Sequence, residues 1–344
     1  MSKKAVLLIN LGSPDSTSVP DVRRYLAEFL GDERVIDVPF ARKVIIPGIV
    51  LRTRPKQTAE AYKAVWTEEG SPLVVTSIQQ QKKLQALTEL PIELAMRYGN
   101  PSIPSILESL VKDGVEHIFL VPLYPHYAMS SYETVVVRVM EVAKQIALHL
   151  RIDTLQPFYN DPDYIDILAD SMRPYVEAPF DQLLFSYHGI PERQVKKSDP
   201  SHAHCLCTTD CCNIANPAHA TCYRHQCLTM TRLVVEKLGL SNDQWSVSFQ
   251  SRLLNDPWLR PFTDETLKEM PSQGVKRLRV VCPSFITDCL ETLEEIAVEG
   301  KEIFLANGGT DYELIPCLNE NPAWIEYLKN RVDLWNETGS VSHS

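Results

Sequence analysis

Six short apolar runs, at residues 5–11, 92–98, 117–124, 182–188, 245–251 and 277–283, set the terms on which this chain can fold. Each reads as a buried strand, and between them lie stretches with helical spacing at residues 105–112, 133–150, 164–175, 229–238 and 288–298. Alternation of this kind predicts α/β layers with mostly parallel sheets. A weak internal repeat splits the pattern in two. The run ending Asn10-Leu11-Gly12-Ser13-Pro14 is answered by Tyr187-His188-Gly189-Ile190-Pro191. Likewise, Pro122-Leu123-Tyr124 leading to Tyr132-Glu133-Thr134 is answered by Pro283-Ser284-Phe285 leading to Leu290-Glu291-Thr292. Open α/β sheets bind ligands beyond the carboxyl ends of their strands, where these signatures fall, so they are expected to converge on one cleft between two halves.

Size agrees with two domains, since 344 residues exceed the ~250–300 at which one hydrophobic core usually stops growing. The expected division is residues 1–155, then 156–315 with an insertion near 199–227, then a C-terminal helix in 316–344 that packs back on the first domain. A net charge of −10 without a large basic block argues against nucleic acid as a partner. The opening residues read as a first strand rather than a signal peptide, and no apolar run approaches the ~18–20 residues needed to span a bilayer. The expected location is the cytoplasm.

His188 stands at the end of an apolar strand, followed by Gly189, which lets a ligand or a second backbone approach. An imidazole there suits metal ligation or proton acceptance near neutral pH; read as plain structure, it is a strand-end histidine bonded to a loop carbonyl. Asp288, Glu291 and Glu295 follow at i, i+3 and i+7, which would line one face of a starting helix and pass a cation or protons along a groove. The plainer reading makes Asp288 and Glu291 a capping box in an acid-favouring first turn. Tyr124, Tyr127, Ser130 and Ser131 form a loop suited to a flat apolar ligand, with Ser130 and Glu133 again at capping-box spacing. Residues 44–51, followed by Arg52, Arg54 and Lys56, read either as an apolar lip resting on an anionic membrane surface or as a buried helix with a solvated end.

Six of nine cysteines crowd into one stretch, Cys205, Cys207, Cys211, Cys212, Cys222 and Cys227, interleaved with His202, His204, His219 and His225. In a reducing compartment thiols packed this densely are best explained by metal, as a zinc site or an iron–sulfur cluster held by four cysteines.

Taken together these signatures resemble the ferrochelatase family along nearly the whole chain, from residues 8–14 to residues 314–319. The most specific matches are Ser186-Tyr187-His188-Gly189-Ile190-Pro191, then Phe249-Gln250-Ser251-Arg252 with Pro257-Trp258, then residues 288–295. The resemblance implies two Rossmann-like domains with parallel sheets related by pseudo-duplication. It implies insertion of ferrous iron into protoporphyrin IX to form protoheme, the last step of heme biosynthesis. In that reading His188 and Glu291 face each other across the porphyrin as the iron-binding and proton-accepting pair, and Asp288 and Glu295 continue the acidic path. Leu11, Arg97, Tyr98, Tyr124, Ser130, Trp258 and Phe285 shape the macrocycle site. A histidine often stands two residues before the matching glutamate in this family; this chain has Cys289. The cysteine segment resembles the internal 2Fe-2S cluster of some bacterial members, with Cys205, Cys211, Cys212 and Cys222 favoured as ligands and Cys207 and Cys227 as substitutes.

The expected partners are porphyrin and ferrous iron, with peripheral contact to the inner membrane surface, in a monomer or homodimer. Competing readings are a coproporphyrin III ferrochelatase, another tetrapyrrole metal chelatase, and a non-catalytic heme or iron–sulfur binding protein.

Overall fold

Five consecutive side chains of the first strand, Ala5, Val6, Leu7, Leu8 and Ile9, have no exposed surface. Neighbouring side chains on a strand point to opposite faces, so such a run requires a sheet covered on both sides. In the computed structural model, which describes residues 3–253 and 256–339, this strand (β1, Lys3–Ser13) is central. It pairs in parallel with β2 (Ile92–Gly99) and with β3 (Val115–Pro122), and β4 (Arg151–Thr154) completes the order β2-β1-β3-β4. The second sheet repeats this plan. Its first strand, β5 (Gln182–His188), lies between β6 (Trp245–Gln250) and β7 (Arg277–Val281), with β8 (Asp311–Ile315) outside β7. The six runs read from the sequence are all strands, and the repeated order is the expected duplication. Two of the four edge strands, β4 and β8, went unread because they are short and, in β4, contain no fully buried side chain.

By its internal contacts the chain divides into two compact units, one comprising Met1–Tyr124, Met129–Pro157 and Asn319–Ser344, the other Pro125–Ala128 and Phe158–Leu318. The first unit includes the C-terminal helix Pro322–Thr338, where Trp335 stacks on Phe119 of β3 at 5.1 Å and donates its indole N–H to Asp153 of β4 at 2.9 Å. Residues 1–2 and 340–344 of the expected segments lie outside the described residues.

Ordinary helix chemistry frames each sheet. The helix Ile103–Lys112 starts at Ser102, whose hydroxyl accepts the Ser105 amide at 3.4 Å. Its Ile103, Leu107 and Leu110 face the core under β1 and β3. The helix Tyr223–Leu238 is capped by the Cys222 sulfur and ends at Gly239, whose left-handed backbone closes the last turn.

The expected helix at residues 288–298 differs in kind. Residues Glu291–Gly300 wind as a π-helix that tightens into the α-helix Lys301–Ala306. Wide turns of this sort are rare and concentrate at functional sites. Among the described residues, no helix is long and apolar enough to cross a membrane.

Two glycines separate steric from conformational cost. A Cβ at Gly12 would lie 1.8 Å from the Tyr98 carbonyl oxygen on β2, whereas one at Gly114, also left-handed, meets nothing within 4 Å. Gly114→Ala is expected to lower stability by about 1 kcal/mol and Gly12→Ala by at least ~3 kcal/mol, read from urea midpoints at constant slope.

Candidate functional site

His188 ends β5 half-buried, and its imidazole is fixed by its neighbour. Nδ1 lies 2.7 Å from the Gly189 carbonyl oxygen, an atom that only accepts, so Nδ1 carries the proton and Nε2 keeps its lone pair. Burial pushes the imidazole below its ordinary pKa, while the negative charge of Glu291 and the Gly189 bond pull it back up. Phe285 meets the ring edge-on at 6.1 Å. Trp258 packs beside the same strand end, where its six-membered ring leaves no slack for a Cβ on Gly189, and its buried indole N–H has no hydrogen-bond partner among the described residues.

The three expected acids do not share one α-helical face. Asp288 precedes the helix and accepts the Thr292 hydroxyl at 2.9 Å, a partner one residue beyond the Glu291 expected for a capping box. Glu291 opens the π-helix and Glu295 follows within it. Burial pushes Glu295 up to about 7, against the Ser251 hydroxyl bonded to it, and the nearby charge of Glu291 adds to the rise. An imidazole lowered and a carboxyl raised are thereby gathered within one unit, with Glu291 acting on both.

In the first unit the expected site residues are held more tightly. Leu11 lies half-buried against the core under β1. Arg97 donates to Asp32 and, at 2.8 Å, to the Thr134 hydroxyl, with its guanidinium 4.3 Å from the centre of the Tyr98 ring. Tyr98 is fully buried and donates its hydroxyl to the same Asp32 at 3.0 Å. Tyr124 is buried with its hydroxyl unpartnered among the described residues, and Ser130 is half-buried in a short π-helix, Met129–Glu133. Glu133, a member of the second anticipated capping box, pairs with Arg34 at 3.3 Å. The segment following Asp37 is amphipathic: Ile46 and Val50 turn inward, whereas Phe40, Val44 and Ile49 are 66%, 51% and 60% exposed beside exposed Lys43, Arg52, Arg54 and Lys56.

In the cysteine segment four buried sulfurs are neighbours. Cys211 Sγ lies 4.0 Å from Cys212 Sγ, and Cys222 bears electrostatically on the thiols of Cys205 and Cys212. Arg224 donates to Cys212 at 3.5 Å, and the amides of Leu206 and His225 donate to Cys211 and Cys222 at 3.4 and 3.5 Å. Cys207 is exposed, and Cys227 is fully buried in the helix Tyr223–Leu238. Among the described residues no three His, Cys, Asp or Glu side chains are drawn together closely enough to hold a metal ion as they stand. Donor chemistry still suits a cysteine-held group, since the sulfurs are gathered and already receive a cation and amide N–H groups.

Sequence reasoning missed four residues here. Ser251 and Ser284 lie inside motifs it had singled out, and Tyr223 directly follows Cys222. Buried His126, with both ring nitrogens unpartnered among the described residues and burial pushing it down to about 3, gave no signal at all.

The ferrochelatase family model matches residues 3–334. The ferrochelatase of Opitutus terrae is 55% identical over 339 residues, covering 97% of this chain and 98% of that protein. That of Ectopseudomonas mendocina is 49% identical over 331 residues, covering 96% and 97%. Among solved structures, SirB from Bacillus subtilis with Fe3+ aligns over 99% of this chain and 100% of its own, with TM-score 0.57 and 15% identity, a likeness of fold.

The raised Glu295 pKa has a sign that stability can report. In an unfolded chain a glutamate titrates near 4.5, so the folded state binds the extra proton between there and about 7 and loses that stabilisation as pH rises through this window. The thermal midpoint of the unmutated protein is expected to fall relative to Glu295→Gln as pH goes from about 5 to 8; parallel curves would contradict the shift.

Proposed function

The chain belongs to the ferrochelatase family, and on that premise we propose that the groups around His188 insert ferrous iron into protoporphyrin IX. The observation that carries the reading is the Nε2 lone pair of His188, left free by the Nδ1–Gly189 bond and set beside the charge of Glu291. A free porphyrin holds two pyrrole N–H groups where the metal must go, so metallation requires two protons to leave. A ring bent toward its transition-state shape exposes the nitrogen lone pairs. His188, kept neutral by burial, accepts the first proton at Nε2. Glu291 accepts the second, and Glu295, poised near neutrality, relays it outward. Phe285 and Trp258 supply apolar surface at the same strand end for a flat macrocycle. Ferrous iron suits imidazole and carboxylate ligands, which release it to four ring nitrogens.

Anaerobic iron insertion tests this directly. His188→Ala is expected to reduce the rate to that of the uncatalysed reaction, and Glu291→Gln to lower kcat by about 10²-fold or more. Protoporphyrin is expected to outrun coproporphyrin in parallel assays, and preference for the latter would reassign the substrate.

The cysteine segment forms a second part of the proposal: Cys205, Cys211, Cys212 and Cys222 hold a 2Fe-2S cluster, distinct from the substrate iron. Burial of those four sulfurs in one segment, the 4.0 Å approach of Cys211 to Cys212, and the N–H and guanidinium donors around them support it. Such a group would supply a redox centre and a tie across residues 205–222. Anaerobically purified protein is expected to be brown-red, and to lose that absorption in Cys205→Ser or Cys222→Ser but not in Cys207→Ser or Cys227→Ser. A colourless protein would point to zinc or to thiols alone.

A further inference from the structure

We propose that Tyr223 and Ser284 are positioning residues that clamp the main chain of His188. The proposal rests on the reading of His188 given above.

Three hydrogen bonds close on themselves around one residue. The His188 amide lies 3.1 Å from Ser284 Oγ, the Ser284 and Tyr223 hydroxyls are 2.7 Å apart, and Tyr223 Oη lies 2.8 Å from the His188 carbonyl oxygen. Donor bookkeeping fixes every proton. A carbonyl accepts only, so the Tyr223 O–H points to His188; Tyr223 must then accept from the Ser284 O–H, whose oxygen takes the His188 N–H. Both polar main-chain groups of His188 are thereby held by two side chains from elements far away in sequence, just where the ladder of β5 runs out.

The clamp has little freedom of its own. Tyr223 is buried, and burial keeps its phenol far above its ordinary pKa, hence a permanent donor. His126 meets its ring edge-on at 5.7 Å and Tyr187 at 5.5 Å, filling the space behind the tyrosine. Ser284 sits between Pro283 and Phe285, so the serine that holds the histidine's backbone precedes the ring that touches its imidazole.

Tyr223 is also the first residue of its helix, and Cys222 is the cap, its sulfur accepting the His225 amide at 3.5 Å. The far end of the clamp is thus rooted in the cysteine segment. Truncating either hydroxyl unpins His188 without removing any group that meets the porphyrin. Displacements of about 1 Å in a reacting group cost up to ~10²-fold in rate, which sets the scale of the effect.

The test compares Tyr223→Phe, Ser284→Ala and Ser284→Thr in anaerobic iron insertion. Alongside it, nitrogen and proton NMR of imidazole-labelled protein is recorded, with the His188 signal assigned by its loss in His188→Ala. Tyr223→Phe and Ser284→Ala are each expected to lower kcat about tenfold or more, with the KM for porphyrin within twofold, and to shift the His188 Nδ1–H resonance. Ser284→Thr, which keeps the hydroxyl, is expected to recover most of both. An unmoved resonance, unchanged kcat, or equal losses in Ser284→Ala and Ser284→Thr would overturn the proposal. Should Tyr223→Phe fail to fold, the two serine variants decide alone. If His188→Ala retains full activity, the functional reading fails, while the resonance still reports whether the clamp exists.

Discussion

The backbone of Gly189 is the contact on which the rest of the site depends. Its N–H reaches the Gln250 carbonyl at 2.8 Å, extending the pairing of β5 with β6 by one last rung. Its carbonyl takes the proton of His188 Nδ1. One unit of backbone therefore fixes where the strand stops and which ring nitrogen is free. Any side chain at this position would collide with the same Gln250 carbonyl, 2.7 Å from an added Cβ, and with Trp258. The strand end and the reactive lone pair are consequences of one close approach.

Electrostatics then divides the labour. Burial acts on both kinds of group but in opposite directions, disfavouring the imidazolium of His188 and the carboxylate of Glu295. The result is an imidazole that favours its neutral form and a carboxyl that exchanges its proton near neutral pH, as the proposed proton transfer requires. Glu291 lies between these effects, steadying a protonated histidine and discouraging ionisation of its neighbour. The π-winding of Glu291–Gly300 places these acids differently from the α-helix their spacing suggested, and it leaves Asp288 to the Thr292 hydroxyl.

Much of this was legible in the chain itself. Strand positions, the doubled order of the sheets and His188 at a strand terminus followed from apolar runs and from a repeat spelled in residues such as Gly12 and Gly189. Edge strands β4 and β8 were not legible, because strands of four or five residues bury too little to leave a pattern. Nor was the helix type at Glu291, since α and π windings place carboxylates on similar stretches of sequence and are separated by tertiary packing. The partners of the anticipated capping-box acids were not legible either: Asp288 takes the Thr292 hydroxyl and Glu133 pairs with Arg34, contacts that no spacing rule records. Ser251, Ser284 and Tyr223 have ordinary polar side chains whose roles exist only once distant segments meet.

The two central strands end on the same steric device. Leu11 precedes a glycine that abuts the Tyr98 carbonyl of β2, as His188 precedes one that abuts the Gln250 carbonyl of β6. Shape is thus conserved between the copies at the glycine and surrendered one residue earlier, where one copy bears an aliphatic group and the other a base. A duplicated scaffold of this kind lets chemistry diverge at a single side chain while the backbone around it stays under one rule, so that novelty in one half need not disturb the architecture of either.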